Sequence, residues 1–125
     1  MDQPAIIERG PYKYVEAGEG EPLIVLHGLF GALSNFKDVF SHFSGRFRVI
    51  IPMLPIYELP MRKTSAKSLS EHIEGFVAEM GLDKVHLLGN SLGGHVGLIF
   101  TKNNLEKVAS LGLTASSGLY ENAFG

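Results

Sequence analysis

Four short apolar runs alternate with segments of helical spacing, and this alternation limits the fold more than any other feature of the chain. The runs are residues 22–26, 47–51, 84–88 and 108–113. A continuous apolar run such as 22–26, bounded by turn residues, suits a strand covered on both faces, as in a parallel sheet. Between the runs the period changes. Residues 33–43 place Phe36, Phe40 and Phe43 at i, i+4 and i+7, with Gly45 just beyond. Residues 68–80 carry the stripe Leu69, Ile73, Phe76, Val77 and Met80. Ser68 and Glu71 have the spacing of a capping box, and Gly81 stands at the C′ position. Residues 91–102 read as a third helix with Val96, Ile99 and Phe100 inward. Strands joined through helices imply βαβ units and a largely parallel sheet in three layers.

Two β-like segments, 5–8 and 12–17, precede any helix and predict an antiparallel edge, with Tyr12 and Tyr14 on one face. Residues 18–22 form a turn, and 53–67, flanked or interrupted by Pro52, Pro55 and Pro60, read as a loop. No repeat, low-complexity tract or internal boundary breaks the 125 residues, so 1–125 reads as one domain unit.

Composition narrows the partners. Eleven Lys and Arg against 13 Asp and Glu give a net charge of −2, spread without a basic run. This predicts no nucleic-acid partner. The start of the chain lacks a basic segment followed by a long apolar one, and no apolar stretch approaches the ~20 residues of a membrane helix. Together with the absence of cysteine, this predicts a cytoplasmic protein without a membrane partner. Thiolate metal sites and thiol nucleophiles are excluded, and no His, Asp and Glu spacing predicts a metal or other cofactor.

The 15 glycines cluster rather than spread. One cluster is Gly89-Asn90-Ser91-Leu92-Gly93-Gly94, a G-x-S-x-G directly between a strand run and a helix pattern. When a strand turns sharply into a helix, residues two before and two after the apex approach each other, so only small residues fit. The apex serine then projects its Oγ above the helix N-terminus. Ser91 is thus the candidate nucleophile, with Gly89 and Gly93 as elbow glycines. The second cluster is His27-Gly28-Leu29-Phe30-Gly31, directly after another strand run. A carbonyl under attack gathers negative charge on oxygen, which two fixed backbone N–H groups can stabilise. The N–H groups of Leu29 and Leu92 are the candidates, and Gly28 lets the first loop come close.

On these motifs the chain resembles the α/β-hydrolase superfamily, in its serine-nucleophile, esterase-like branch, over essentially its whole length. The resemblance implies an α/β-hydrolase fold, a mostly parallel sheet with the strand order one, two, four, three, five, six, seven, eight. Residues 1–113 map onto strands one to six, so 1–125 is expected to be the N-terminal portion of a single domain. It also implies Ser91 as nucleophile and Leu29 and Leu92 as oxyanion-hole donors. Serine at the elbow argues against relatives that use an aspartate, such as epoxide hydrolases.

The pattern breaks at the triad. A serine needs a base, and the family order is Ser, then Asp or Glu, then His. After Ser91 come only His95, Glu106 and Glu121, none in a suitable place. His95 sits one turn along the same helix and reads as packing; His27 shapes its loop, and His42, His72 and His86 lie on other elements. The acid and base are therefore expected from a further C-terminal segment, and the isolated chain is expected to be inactive. Where many relatives carry an acid and paired glycines, this chain has Met53, Ile56 and Tyr57. Phe30 and Met53, with Leu54 and Ile56, predict an apolar pocket for a small-molecule acyl substrate. The expected function is hydrolysis of a carboxylic ester or related acyl compound through an acyl-enzyme. The alternative is a non-catalytic ligand-binding or self-associating fragment. The run 108–113 reads as a buried strand whose outer edge would pair with a complementary C-terminal fragment or a second copy.

Overall fold

The computed structural model describes residues 5–26, 36–55, 65–90 and 92–114. In chain order the elements are β1 (Ile7–Arg9), β2 (Tyr12–Ala17), β3 (Glu21–Leu26), α1 (Phe36–Phe43), β4 (Phe47–Pro52), α2 (Ala66–Glu79), β5 (Val85–Asn90), α3 (Leu92–Asn103) and β6 (Val108–Thr114). A single 3-10 turn, Leu105–Lys107, leads into β6. The six strands form one sheet in the order β1-β2-β4-β3-β5-β6. β3, β4, β5 and β6 run parallel, and the β1–β2 and β2–β4 pairs are antiparallel. The antiparallel edge and the βαβ succession are those the sequence predicts.

Alternation along each central strand sorts side chains onto two faces. Ile24 and Leu26 of β3, Ile50 of β4, and Val85 and Leu87 of β5 turn to one side. There they join Leu69, Ile73, Phe76 and Val77 of α2 and Val96 and Phe100 of α3 in the larger core. Leu23, Val25, Val49 and Ile51 face the other way and pack with Val15 and Phe40 of α1. Tyr14 is buried and Tyr12 packs beside it on the α2 side, as their spacing predicts. The result is a helix–sheet–helix sandwich.

The termini of α2 explain where it starts and stops. The sequence offered Ser68 as the cap, but Ser65 takes that role. Its Oγ accepts the N–H of Ser68 at 3.2 Å, and the helix begins at Ala66. At the other end Gly81 adopts φ +68. Its N–H donates to the Ala78 carbonyl and that of Leu82 to the Val77 carbonyl, at 3.1 and 3.2 Å. This double bond pattern is a Schellman motif, closed by Leu82 packing on the core.

β6 departs from the sequence reading. Its residues are half-buried or exposed, with Leu113 at 42%. Among the described residues it is a sheet edge, so one flank and much of one face meet solvent. Val96 and Phe100 of α3 keep full cover, while Ile99 is half-buried. A bulge after Val85 shifts the pairing, so that Val85 faces Val108 and His86 faces Ser110.

Candidate active site

The site is built where parallel strands end together. The register places Leu26 of β3 opposite Gly89 of β5, and Gly89 opposite Leu113 of β6. The chain therefore leaves β3 toward residue 27 and β5 toward residue 91 at the same end of the sheet, on neighbouring strands ~4.8 Å apart. A crevice beyond the carboxyl ends of parallel strands is where open α/β sheets bind ligands.

One residue separates β5 from α3, since the strand ends at Asn90 and the helix begins at Leu92. That residue is Ser91, which lies outside the described residues, as do His27, Gly28, Leu29, Phe30 and Ile56. Their neighbours define the turn. A Cβ placed on Gly89 would lie 2.6 Å from the Gly93 carbonyl oxygen and 2.8 Å from the Gly94 Cα. Gly93 and Gly94 are themselves buried. Backbone thus meets backbone on both sides of position 91, and any side chain at 89 would force β5 and α3 apart. Leu92 is the first residue of α3, so its N–H has no acceptor within the helix. Its side chain packs on the larger core.

Met53 lies elsewhere at the same end of the sheet, just beyond β4. Its N–H donates to the Lys13 carbonyl at 2.8 Å. With Ile6, Pro11, Lys13, Leu54, Pro55 and His72 it lines a cavity of about 350 Å³. The cavity sits beside β4, which β3 separates from β5, two strand spacings or ~10 Å from the elbow.

The described histidines stay away from the elbow or fixed to its own helix. His72 is edge-on to Tyr12, with ring centroids 5.0 Å apart, and His42 is edge-on to Phe43 at 4.7 Å. His95 is half-buried on α3. His86 draws notice because its Nδ1 is 2.6 Å from Ser110 Oγ and its Nε2 is 3.4 Å from Glu21 Oε2. The second contact is close enough for an ion pair but lacks hydrogen-bond alignment. Hydroxyl, imidazole and carboxylate are in sequence, yet Ser110 lies mid-strand in β6 rather than at a strand-to-helix turn, without the helix N-terminus that a nucleophile elbow places beneath its serine. His86 is also four residues, ~13 Å, below Asn90. Among the described residues, no three His, Asp or Glu side chains gather where a metal could bind.

A sequence profile described as the alpha/beta hydrolase fold matches residues 21–124. The chain belongs to the α/β-hydrolase fold family. A soluble epoxide hydrolase of Corynebacterium sp. (strain C12) is 32% identical, over 78% of this chain and 35% of that protein. A 2-hydroxy-6-oxo-6-phenylhexa-2,4-dienoate hydrolase of Burkholderia cepacia is 31% identical, over 87% of this chain and 41% of the relative. The crystal structure of an α/β hydrolase enzyme from the metagenome of sediments of the Mar Chica lagoon, Morocco, superposes with a TM-score of 0.85 at 43% identity. It covers 95% of this chain and 55% of that one. The chain thus spans about two fifths of the length of these curated relatives.

Sequence reading missed two polar residues beside the elbow. Thr114, the last residue of β6, donates its hydroxyl to Asn90 Oδ1 at 2.7 Å, and its Oγ1 is 3.3 Å from the Gly89 carbonyl oxygen. The available signal was a polar residue closing each of two apolar runs that pair in parallel. Among the described residues, no helix is long and apolar enough to cross a membrane.

Proposed function

We propose that the chain carries the nucleophile half of a serine hydrolase acting on a carboxylic ester or related acyl substrate. The observation behind this reading is the contact of Gly89 with Gly93 and Gly94 across a one-residue strand-to-helix link. A capping serine in a loose turn would not need backbone pressed to backbone on both sides. A nucleophile elbow does. In this reading Ser91 Oγ attacks the substrate carbonyl carbon while its proton passes to a histidine. The N–H groups of Leu29 and Leu92 hold the resulting oxyanion. The leaving group takes the proton, and water then hydrolyses the acyl-enzyme by the same route. The shared level of the β3 and β5 ends supports the pairing of the two donors, because both loops rise from adjacent strands.

The same proposal treats residues 1–125 as the N-terminal portion of one domain, with the Asp and His supplied by sequence beyond it. The share of each relative that the chain spans supports this. Phe30 and Met53 are assigned to apolar walls of the acyl pocket. A cytoplasmic setting belongs to the proposal too, supported by the lack of cysteine.

A fluorophosphonate probe applied to the complete domain tests the reading. Peptide mapping is expected to place the adduct on Ser91, and Ser91→Ala is expected to lower ester turnover by about 10⁶ in kcat. An adduct elsewhere, or a variant that keeps most of its activity, would overturn it.

A further inference from the structure

We propose that Thr114 is a positioning residue for the elbow, acting through Asn90 and the end of β5; the inference rests on the reading of Ser91 as nucleophile. Asn90 and Thr114 are the last facing pair of the parallel β5–β6 ladder. A hydroxyl has one proton, and the 2.7 Å contact to Asn90 Oδ1 takes it, while the Gly89 carbonyl lies at 3.3 Å on the same oxygen. Thr114 thereby ties Asn90, the residue that precedes position 91. Gly89 is at the same time pressed on Gly93 and Gly94 of α3. The end of β5 is thus held from β6 and from α3 together.

The alternative is that this bond merely adds stability. Asn90 and Thr114 are both exposed, so water can replace either partner. An exposed bond between neutral groups contributes little to folding, because nothing is left buried and unpaired when it is lost. What its loss does change is the orientation of the Asn90 side chain and the latitude of the turn. Nucleophile placement is sensitive to such changes: a shift of ~1 Å can cost about a hundredfold in rate.

The test uses the complete domain, with the rate of Ser91 labelling by a fluorophosphonate and the kcat and KM for p-nitrophenyl acetate as readouts. Thr114→Val keeps the shape and removes the hydroxyl. It is expected to lower the labelling rate and kcat by about tenfold or more with KM little changed. Thr114→Ser restores the hydroxyl and is expected to recover most of the lost rate. Asn90→Ala should reproduce the loss, and the double variant should lose no more than either single one. Because Asn90→Ala leaves β6 intact, it carries the test if Thr114→Val folds poorly. Wild-type labelling matched by both Thr114→Val and Asn90→Ala would overturn the positioning role alone. A fall in melting temperature with an unchanged labelling rate would do the same. Absence of labelling at Ser91 in the wild type would remove the nucleophile reading and this inference with it.

Discussion

Gly89 and Gly93 lie backbone to backbone: a methyl on the Gly89 Cα would sit 2.6 Å from the Gly93 carbonyl oxygen. Neither partner is a side chain that could swing aside. Gly89→Ala is therefore expected to destabilise the domain by about 1–3 kcal/mol, the usual cost of overpacking. It should also slow probe labelling of Ser91, because the junction must open to admit the methyl. Urea unfolding and labelling rates on the same variant check both. Unchanged values would show that the turn has slack there.

A second close approach sets packing against helix propensity. The Tyr12 hydroxyl rests on Gly75 in the middle of α2, where a Cβ would overlap it. Propensity alone says that Gly75→Ala should stabilise the helix by about 1 kcal/mol. The tyrosine ring, however, is wedged edge-on between His72 and Phe76, with centroids at 5.0 and 5.6 Å, and cannot easily retreat. We expect Gly75→Ala to be net destabilising by about 1 kcal/mol or more. Tyr12→Phe combined with it should recover part of the loss. A more stable Gly75→Ala single variant, seen as a higher urea midpoint, would mean the ring does move.

These two contacts mark the limit of sequence reading. Val85, Leu87 and Leu88 announced β5 although Lys84 and His86 interrupt the pattern, and the run at 22–26 announced β3 because burial on both faces leaves an uninterrupted apolar signature. The stripe from Leu69 to Met80 announced α2 for the same reason. Gly81 was legible as the helix stop because one residue type supplies the conformation. The start of α2 was not, since Ser65 and Ser68 are chemically equal caps and only the path of the incoming chain chooses between them. The outer edge of β6 was expected to want a partner, but the exposure of its side chains was not legible. An apolar strand looks the same in sequence whether or not its neighbour is present. The elbow was legible as a glycine spacing, but the Thr114–Asn90 bond depends on register, which the bulge beside Val85 shifts by one residue.

Arg48 and Glu16 form a forked pair across β4 and β2, with both guanidinium contacts to the carboxylate at 3.0 Å. Hydrogen bonding to Glu16 raises the Arg48 pKa above its ordinary value, against the opposing effect of burial. For a group whose folded pKa is raised, the stabilisation is complete below the unfolded value and lost only as pH climbs through the folded one. That window lies above the ordinary arginine range. The stability difference between wild type and Arg48→Met should thus be flat between about pH 6 and 9. About a third of the Arg48 side chain is exposed, so solvent screening holds the difference to about 0.5–1 kcal/mol. Chemical unfolding at several pH values checks this. A difference that changes steadily across that range would mean another titrating group governs the pair.

The edge of β6 leads to the last expectation, which concerns residues 1–125 as an isolated chain. Among the described residues β6 pairs only with β5, and its other flank offers a row of N–H and C=O groups. Leu113 on β6 itself is 42% exposed, and Leu105 in the turn that leads into it 69%. An unpaired edge next to apolar surface is a template for another strand. We expect the isolated chain to self-associate through residues 108–113, or to bind a complementary C-terminal fragment when one is supplied. Natural sheets block such edges with inward-pointing charge, so Leu113→Lys should favour the monomer. Sedimentation velocity distinguishes the cases: wild type above its monomer mass of 13.6 kDa, and the variant shifted toward it. A wild-type chain that stays monodisperse at monomer mass, with slow amide exchange along β6, would show that this edge is already covered within the chain.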